Sequence, residues 1–304
     1  MNNTARKTNR EDSMGLPRLT FAIFTAVLLQ SVAMFAATNA SCTFDAFTAP
    51  SGYTFSQVEG VSDDGSVVGQ LVDNKTQKLV AFTRSPSGVF TEYAAPGAAI
   101  TWMYGRNRSG ASTGYYQDAK APGHLHGYML KGSKLSVINY PKAANTFLFD
   151  VNQPGTAVGS FSEGVATKGF LLTNGKFTVV AYPNVQATYP MAISDNGAVV
   201  GSYSTTIYNG FLWQNGTFTT INFRGAKYGT ALTGVNNSGV IVGNQLHGDR
   251  DFAFMYQNGV FKNITYPGAS FTLAGGINNN GVISGQIYMN VSGTDTLGYT
   301  AVCK

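Results

Sequence analysis

The sequence predicts an all-β protein: a six-bladed β-propeller of four-stranded antiparallel blades, its ring closed by N- and C-terminal strands that share one blade. Three observations predict it. One turn motif recurs six times at near-constant spacing. Asn-Gly dipeptides mark hairpins inside the copies, because both central residues of a type I′ turn need positive φ. The composition, with 36 Gly, 20 Phe and 16 Tyr but only 12% charged residues, suits many short strands and tight turns. A hydrophobic share of 43% supplies a core and argues against disorder.

The motif copies are GVSDDGSVVG (60–69), GRNRSGASTG (105–114), DVNQPGTAVG (150–159), AISDNGAVVG (192–201), GVNNSGVIVG (234–243) and GINNNGVISG (276–285). Their turn glycines, Gly65, Gly110, Gly155, Gly197, Gly239 and Gly281, are spaced by 45, 45, 42, 42 and 42 residues. A second element follows at a similar offset, as in GFLLTNGKFTVVAYP (169–183) and AFMYQNGVFKNITYP (253–267). In the fifth copy these read as four strands, over 230–235, 240–245, 252–256 and 260–266, the last stopped by Pro267. Four strands in about 42 residues is the size of a propeller blade. A parallel β-helix, the competing repeat architecture, has shorter coils and no Asn-Gly hairpins. The last glycine of each copy (Gly69, Gly114, Gly159, Gly201, Gly243, Gly285) falls inside the second strand, where a side chain would be hard to fit.

The chain begins and ends in mid-blade. SCTFDAFTAP (41–50) aligns with the fourth-strand segment 215–224, and GYTAVCK (298–304) with the third-strand segment 210–216. Cys42 and Cys303 then occupy adjacent positions of the one hairpin turn that is missing, which predicts a disulfide in its place. On the loop-entropy argument, closing about 260 residues destabilises the unfolded chain by roughly 5 kcal/mol. The preceding segment predicts export. Leu19 to Ala37 carries no charge, a basic stretch precedes it, and Thr38-Asn39-Ala40 places small residues where a signal peptidase cuts. The expected organisation is a signal peptide over 1–40, cleaved after Ala40, and a propeller domain over 41–304. Secretion to the periplasm or outside the cell follows, with no membrane association after cleavage. An oxidising compartment is also where a disulfide persists.

The repeats resemble the HAF family of extracellular repeats, named for a His-Ala-Phe-like triplet opening the third strand. The triplet stands here as His126-Gly127-Tyr128, Lys168-Gly169-Phe170, Asn209-Gly210-Phe211 and Phe252-Ala253-Phe254, across essentially residues 42–304. Only one copy keeps the His, and GRNRSGASTG loses the apolar residues of the first motif. The resemblance implies an exported, propeller-like protein and brings no catalytic residues with it.

Net charge is +5, and about +3 without residues 1–40, with no cluster of five Lys or Arg, so nucleic acid is not an expected partner. In a propeller, the loops between strands two and three and those joining blades share one face. There each inter-blade loop or strand start carries an aromatic: Tyr53, Trp102, Phe147, Tyr189, Tyr228 and Phe271. Such rings either pack between blades or form a platform for flat apolar ligand faces. All three histidines lie in strand two-to-three loops. His124 and His126 share one side of an extended segment, but they fall short of a three-ligand metal site. His247 sits beside Asp249 and Asp251, the candidates for acid–base work. The turns Asp63-Asp64-Gly65 and Asp195-Asn196-Gly197 lack the alternating carboxylates of a calcium loop. No cofactor motif is present. The main expectation is a monomeric, non-enzymatic binding or scaffold protein whose ligand is a glycan or cell-envelope polymer. The alternatives are a secreted hydrolase or lyase using the loop His and Asp residues, and a purely structural surface protein.

Overall fold

The computed structural model describes residues 37–304 apart from residue 249. The signal-peptide expectation over the leading segment therefore falls largely outside the described residues. Every regular element among them is a strand. Strands β1 (Thr38–Asn39) and β2 (Cys42–Phe47) come first. The first four-stranded unit follows as β3 (Tyr53–Val61), β4 (Val67–Asp73), β5 (Leu79–Arg84) and β6 (Phe90–Tyr93). The second is β7 (Ala98–Arg106), β8 (Ala111–Asp118), β9 (Leu125–Lys131) and β10 (Lys134–Ile138). The third is β11 (Thr146–Val151), β12 (Ala157–Glu163), β13 (Ala166–Thr173) and β14 (Lys176–Val180). The fourth is β15 (Ala187–Ile193), β16 (Val199–Ser204), β17 (Tyr208–Gln214) and β18 (Thr217–Thr220). The fifth is β19 (Gly229–Val235), β20 (Ile241–Leu246), β21 (Phe252–Gln257) and β22 (Val260–Asn263), with β1 added in parallel to its outer edge. In the last unit β23 (Phe271–Ile277), β24 (Val282–Tyr288) and β25 (Thr296–Cys303) pair in order, and β2 supplies the fourth strand.

Strands within each unit are antiparallel neighbours. Single parallel pairs, Thr167↔Ala187 and Tyr208↔Gly229, merge the third, fourth and fifth units into one thirteen-stranded sheet that includes β1. The other three units remain separate four-stranded sheets. Turn chemistry follows the sequence. The turn glycines have φ between 74° and 92°, and Asn174-Gly175, Asn215-Gly216 and Asn258-Gly259 have both residues at positive φ, as a type I′ hairpin requires.

The glycine inside each second strand has a local cause. Gly159 pairs with both Leu148 and Phe170, and a Cβ there would lie 2.0 Å from the Phe147 carbonyl oxygen and 2.8 Å from the Phe170 ring. The same vice closes on Gly69, Gly114, Gly243 and Gly285, the ring coming from Phe82, Tyr128, Phe254 and Tyr299. These third-strand aromatics, with Phe211 in the fourth unit, are fully buried and centre the core of their units. The last letter of the triplet is thus a core residue.

Adjacent units are tied by a side-chain relay. In four of the six units the residue two before the turn glycine accepts from the backbone of the unit before it. Gln153 N–H donates to Asp195 Oδ1, Asp195 N–H to Asn237 Oδ1, Asn237 N–H to Asn279 Oδ1 and Asn279 N–H to Asp63 Oδ1, each at 2.8 Å. The last of these links joins the final unit to the first across 216 residues by the same bond that joins units 42 apart. A second layer runs beneath it, where Asn278 Nδ2 donates to Ser62 O as Asn236 Nδ2 does to Asn278 O.

The covalent closure lies where the alignment of the termini puts it. Cys42 and Cys303 are opposite residues of the β2–β25 ladder and are bonded at 2.01 Å. Ser41 and Lys304 extend that ladder by exchanging backbone hydrogen bonds.

Cys303→Ser is expected to lower stability by up to about 5 kcal/mol on the loop-entropy argument, and Asn279→Ala by about 1–3 kcal/mol for its lost hydrogen bonds. Urea midpoints of the two variants measure both. A Cys303→Ser midpoint equal to that of the wild type would mean that the relay alone holds the ends together.

Candidate active site

The first strands of all six units line a single central channel, with a cavity of ≈ 90 Å³. Each such strand is irregular at one point. Opposite the second-strand glycine the register slips, leaving Tyr104, Phe149, Met191, Thr233 and Gly275 without a partner in β7, β11, β15, β19 and β23. In β3 the slip spans Glu59 and Gly60. A bulge turns its extra residue away from the regular alternation. Here all six bulged positions line the channel.

Five of the six carry no charge, and the sixth is Glu59. Its neighbours leave it room, because Gly275 in β23 approaches so closely that a Cβ there would lie 2.5 Å from the Glu59 carbonyl oxygen. Ser284 Oγ fixes that carbonyl by a short hydrogen bond. The carboxyl group has no ion-pair partner among the described residues. Burial against the channel walls pushes its pKa up to about 8, although the residue keeps some contact with solvent through the channel. A carboxylic acid with such a pKa is protonated at neutral pH and can either donate or accept a proton.

Phenols surround it. Tyr104 and Tyr115 share a hydrogen bond of 3.2 Å with rings stacked 5.5 Å apart. Burial first, and the charge of Glu59 second, raise the pKa of Tyr104. Tyr115 and Tyr288 are raised by burial, and each also feels Glu59. Asp150, one position beyond its bulge, is also pushed up, to about 6. Burial outweighs the stabilising hydrogen bonds it accepts from Ile193 N–H and Val151 N–H. Asp150 therefore pins the third unit to the fourth and has both oxygens engaged.

At the turn end the channel is crossed by the relay. Asn279 Nδ2 donates to both Asp63 Oδ2 (2.9 Å) and Asp195 Oδ2 (3.0 Å), and Asn237 Nδ2 also reaches Asp195 Oδ2 (3.0 Å). Towards the loop end, aromatics occupy the first strands. Trp102, Phe147 and Tyr189 hold one register, each immediately before the residue that faces the second-strand glycine. Tyr115 packs between the first two, 4.7 Å from Trp102 and 4.9 Å from Phe147. Gln57, Ala231 and Leu273 hold the same register in the remaining units, so the aromatics of this register come from three consecutive units.

The other sequence-derived candidates lie elsewhere. Tyr53 donates to Glu92 Oε2 at 2.8 Å, Phe271 stacks on Tyr288 at 4.2 Å, and Tyr228 is exposed in the loop before β19. Asp251 Oδ1 accepts from His247 N–H (2.8 Å) and Gly248 N–H (3.4 Å), which organises its own loop, and the His247 ring packs edge-on against Phe252. Asp249 lies outside the described residues. His126 pairs through Nδ1 with Asn139 Oδ1 at 3.0 Å, and His124 N–H donates to Ala121 O. Among the described residues no group of three or more His, Cys, Asp or Glu is placed to share a metal ion, and no helix is long and apolar enough to cross a membrane.

Sequence reasoning missed Glu59. The signal was the column six residues before the turn glycine, which reads Glu59, Tyr104, Phe149, Met191, Thr233 and Gly275: one acid among uncharged side chains.

No family model and no curated protein sequence matches this chain. Solved structures do, and they are β-propeller-like. A putative gluconolactonase is 13% identical with a TM-score of 0.52, covering 87% of this chain and 92% of its own. Regucalcin, a calcium-binding protein from Agrobacterium tumefaciens, is 12% identical with a TM-score of 0.50, covering 88% and 95%. Virginiamycin B lyase from Staphylococcus aureus, in a catalytically inactive form, is 13% identical with a TM-score of 0.49, covering 86% and 100%. At such identities the likeness shows the fold. The expectation of a non-enzymatic binding or scaffold protein is nevertheless corrected: the fold's neighbours here include enzymes, and the channel holds an acid with no structural partner.

The raised pKa of Glu59 makes stability depend on pH. The folded state holds the proton up to about pH 8, whereas an unfolded glutamate releases it near 4.5. This contribution is therefore fully present below pH 4.5 and lost as pH rises through 8. Denaturant midpoints between pH 4 and 9 should fall more steeply for the wild type than for Glu59→Gln, with Asp150 adding the same slope to both up to about pH 6. Parallel curves would show that Glu59 titrates normally.

Proposed function

We propose that this protein is a hydrolase or lyase built as a six-bladed propeller of HAF-type repeats, with Glu59 as its general acid–base group. The observation that carries this reading is positional. The Glu59 carboxyl group projects from a bulge into the channel without an ion pair, beside the hydrogen-bonded phenols Tyr104 and Tyr115, whereas Asp63, Asp150 and Asp195 are engaged by N–H donors.

The chemistry follows from the environment. A protonated Glu59 can give its proton to a leaving oxygen or nitrogen; once ionised it can take one from water or from an acidic C–H. Tyr104 and Tyr115, kept neutral by burial, are available to hydrogen-bond the oxygen on which negative charge develops. Trp102, Phe147 and Tyr189 form the wall against which the substrate lies. His247 and Asp251, first considered for the acid–base role, have local loop partners and take no part in this reading.

Export is part of the proposal. A leader ending after Ala40 would deliver the chain to an oxidising compartment, where the Cys42–Cys303 bridge forms and persists. Such cleavage would also remove β1 from the edge of β22.

Turnover of chromogenic esters, lactones and glycosides, and of lyase substrates followed by new ultraviolet absorbance, tests the proposal. The wild type is expected to turn over at least one class, and Glu59→Gln to lose about 10²- to 10⁴-fold in kcat with its urea midpoint preserved at pH 6. Turnover undiminished in Glu59→Gln, or a wild type inert across the panel, would sink it.

A further inference from the structure

We infer that the exposed rim formed by Tyr208, Tyr228, Phe252 and Lys227 is a docking subsite for an acidic polysaccharide, the substrate class of the channel; the second clause rests on the function proposed above.

The rim is contiguous. Tyr208 N–H donates to Tyr228 O at 3.0 Å, and the backbone of Gly248 lies so close to Tyr228 that a Cβ there would sit 2.7 Å from its ring. Across that glycine loop, the His247 ring stands 5.7 Å from Phe252. Tyr208 and Phe252 open the third strands of consecutive units, so the surface extends over two repeats and matches a chain of several sugar rings. By strand order these loops lie at the same end of their sheets as the starts of the first strands that carry Trp102 and Phe147.

Exposure sets the kind of contact. Tyr208, Tyr228 and Phe252 are 42%, 46% and 38% exposed, so the rings lie half-covered against the loops. A ring held flat presents a face for stacking, whereas a membrane anchor has to insert its apolar side chains below the headgroups.

Charge sets the sign of the ligand. Lys227 Nζ lies 4.8 Å from the centroid of the Tyr228 ring. It has no carboxylate partner among the described residues, and neither has the exposed Arg224 of the same loop. Asp251, on the loop whose Gly248 packs against Tyr228, has an oxygen occupied by two backbone N–H groups. An exposed lysine leaves an aromatic face at small cost, which frees the ring for a pyranose and supplies a cation for its carboxylate.

Affinity electrophoresis of the purified protein tests this, with polygalacturonate in the gel, neutral dextran as control, and a parallel sedimentation with phosphatidylglycerol vesicles. Wild type should be retarded by polygalacturonate, less so at high salt, and not by dextran. Tyr228→Ala and Lys227→Glu should each weaken retardation by about three- to tenfold. Tyr228→Phe, which keeps the ring, should restore it, and Glu59→Gln should be retarded like the wild type. Equal retardation by dextran, an unaffected Tyr228→Ala, or binding to vesicles alone would overturn the subsite. Loss of turnover in Glu59→Gln without any polymer binding would overturn the subsite and leave the channel chemistry standing. Polymer binding with Glu59→Gln fully active would do the reverse.

Discussion

In each repeat the first strand carries one residue more than its partner at the point where the second strand holds glycine; in the first repeat Glu59 and Gly60 stand against Val68 alone. The carbonyl before that point presses onto the glycine from one side, and in five of the six repeats the third-strand aromatic presses from the other. No side chain larger than hydrogen fits between them. The bulge, the glycine and the buried ring are therefore one steric unit. A bulge cannot be ironed out without driving its strand's carbonyl away from the glycine and opening a gap beside the ring, and core gaps cost stability in proportion to their volume. The channel-lining residue gets its direction from this constraint. Glu59 points where it does because Gly69 and Phe82 behind it hold the kink in place.

That constraint also explains what could be read from the sequence. The turn glycines, the Asn-Gly hairpins and the pairing of Cys42 with Cys303 depend on contacts close along the chain or on the repeat register. Both are visible in a self-alignment. The second-strand glycines are legible as places with no room for a side chain, but the cause, the neighbouring strand's carbonyl and a ring from the third strand, is visible only in the fold. Glu59 was harder to see, because alternation is the rule for inferring which way a strand residue faces and a bulge breaks it. Of the aromatics, Trp102, Phe147 and Tyr189 share one column eight residues before the turn glycine, whereas Tyr53, Tyr228 and Phe271 stand at other offsets. The structure separates them accordingly. Trp102 and Phe147 join the Tyr115 cluster, whereas Tyr53 and Phe271 pair with Glu92 and Tyr288 and Tyr228 is exposed.

Two closures of different kind hold the ends of the chain together. The relay through Asn279 and Asp63 acts in the folded state and repeats the bond found at three other junctions. The disulfide acts on the unfolded chain by removing conformations that only a loop of 261 residues could explore. They sit at different radii, the relay at the channel and the bridge on the outer strands, so neither replaces the other. The relay further commits the side chains at the turn end of the channel to structure. Asp63 and Asp195 are saturated by amide donors, which leaves chemistry to the other end.

An uncharged acid in such a channel links ligand binding to protonation. Burial favours the neutral form of Glu59, and neither Arg106 nor Arg108, the cations that line the cavity, comes within ion-pair distance of it. Any substrate that brings a hydrogen-bond donor or a positive centre next to the carboxyl supplies what the protein withholds, and so draws its pKa back down. An anionic substrate does the opposite and holds the proton in place until bond breaking creates a basic atom to receive it. A rim that selects anions, leading to a channel that keeps its acid protonated, therefore makes one chemical argument: the negative charge that recruits the substrate also keeps the catalyst in its proton-donating form.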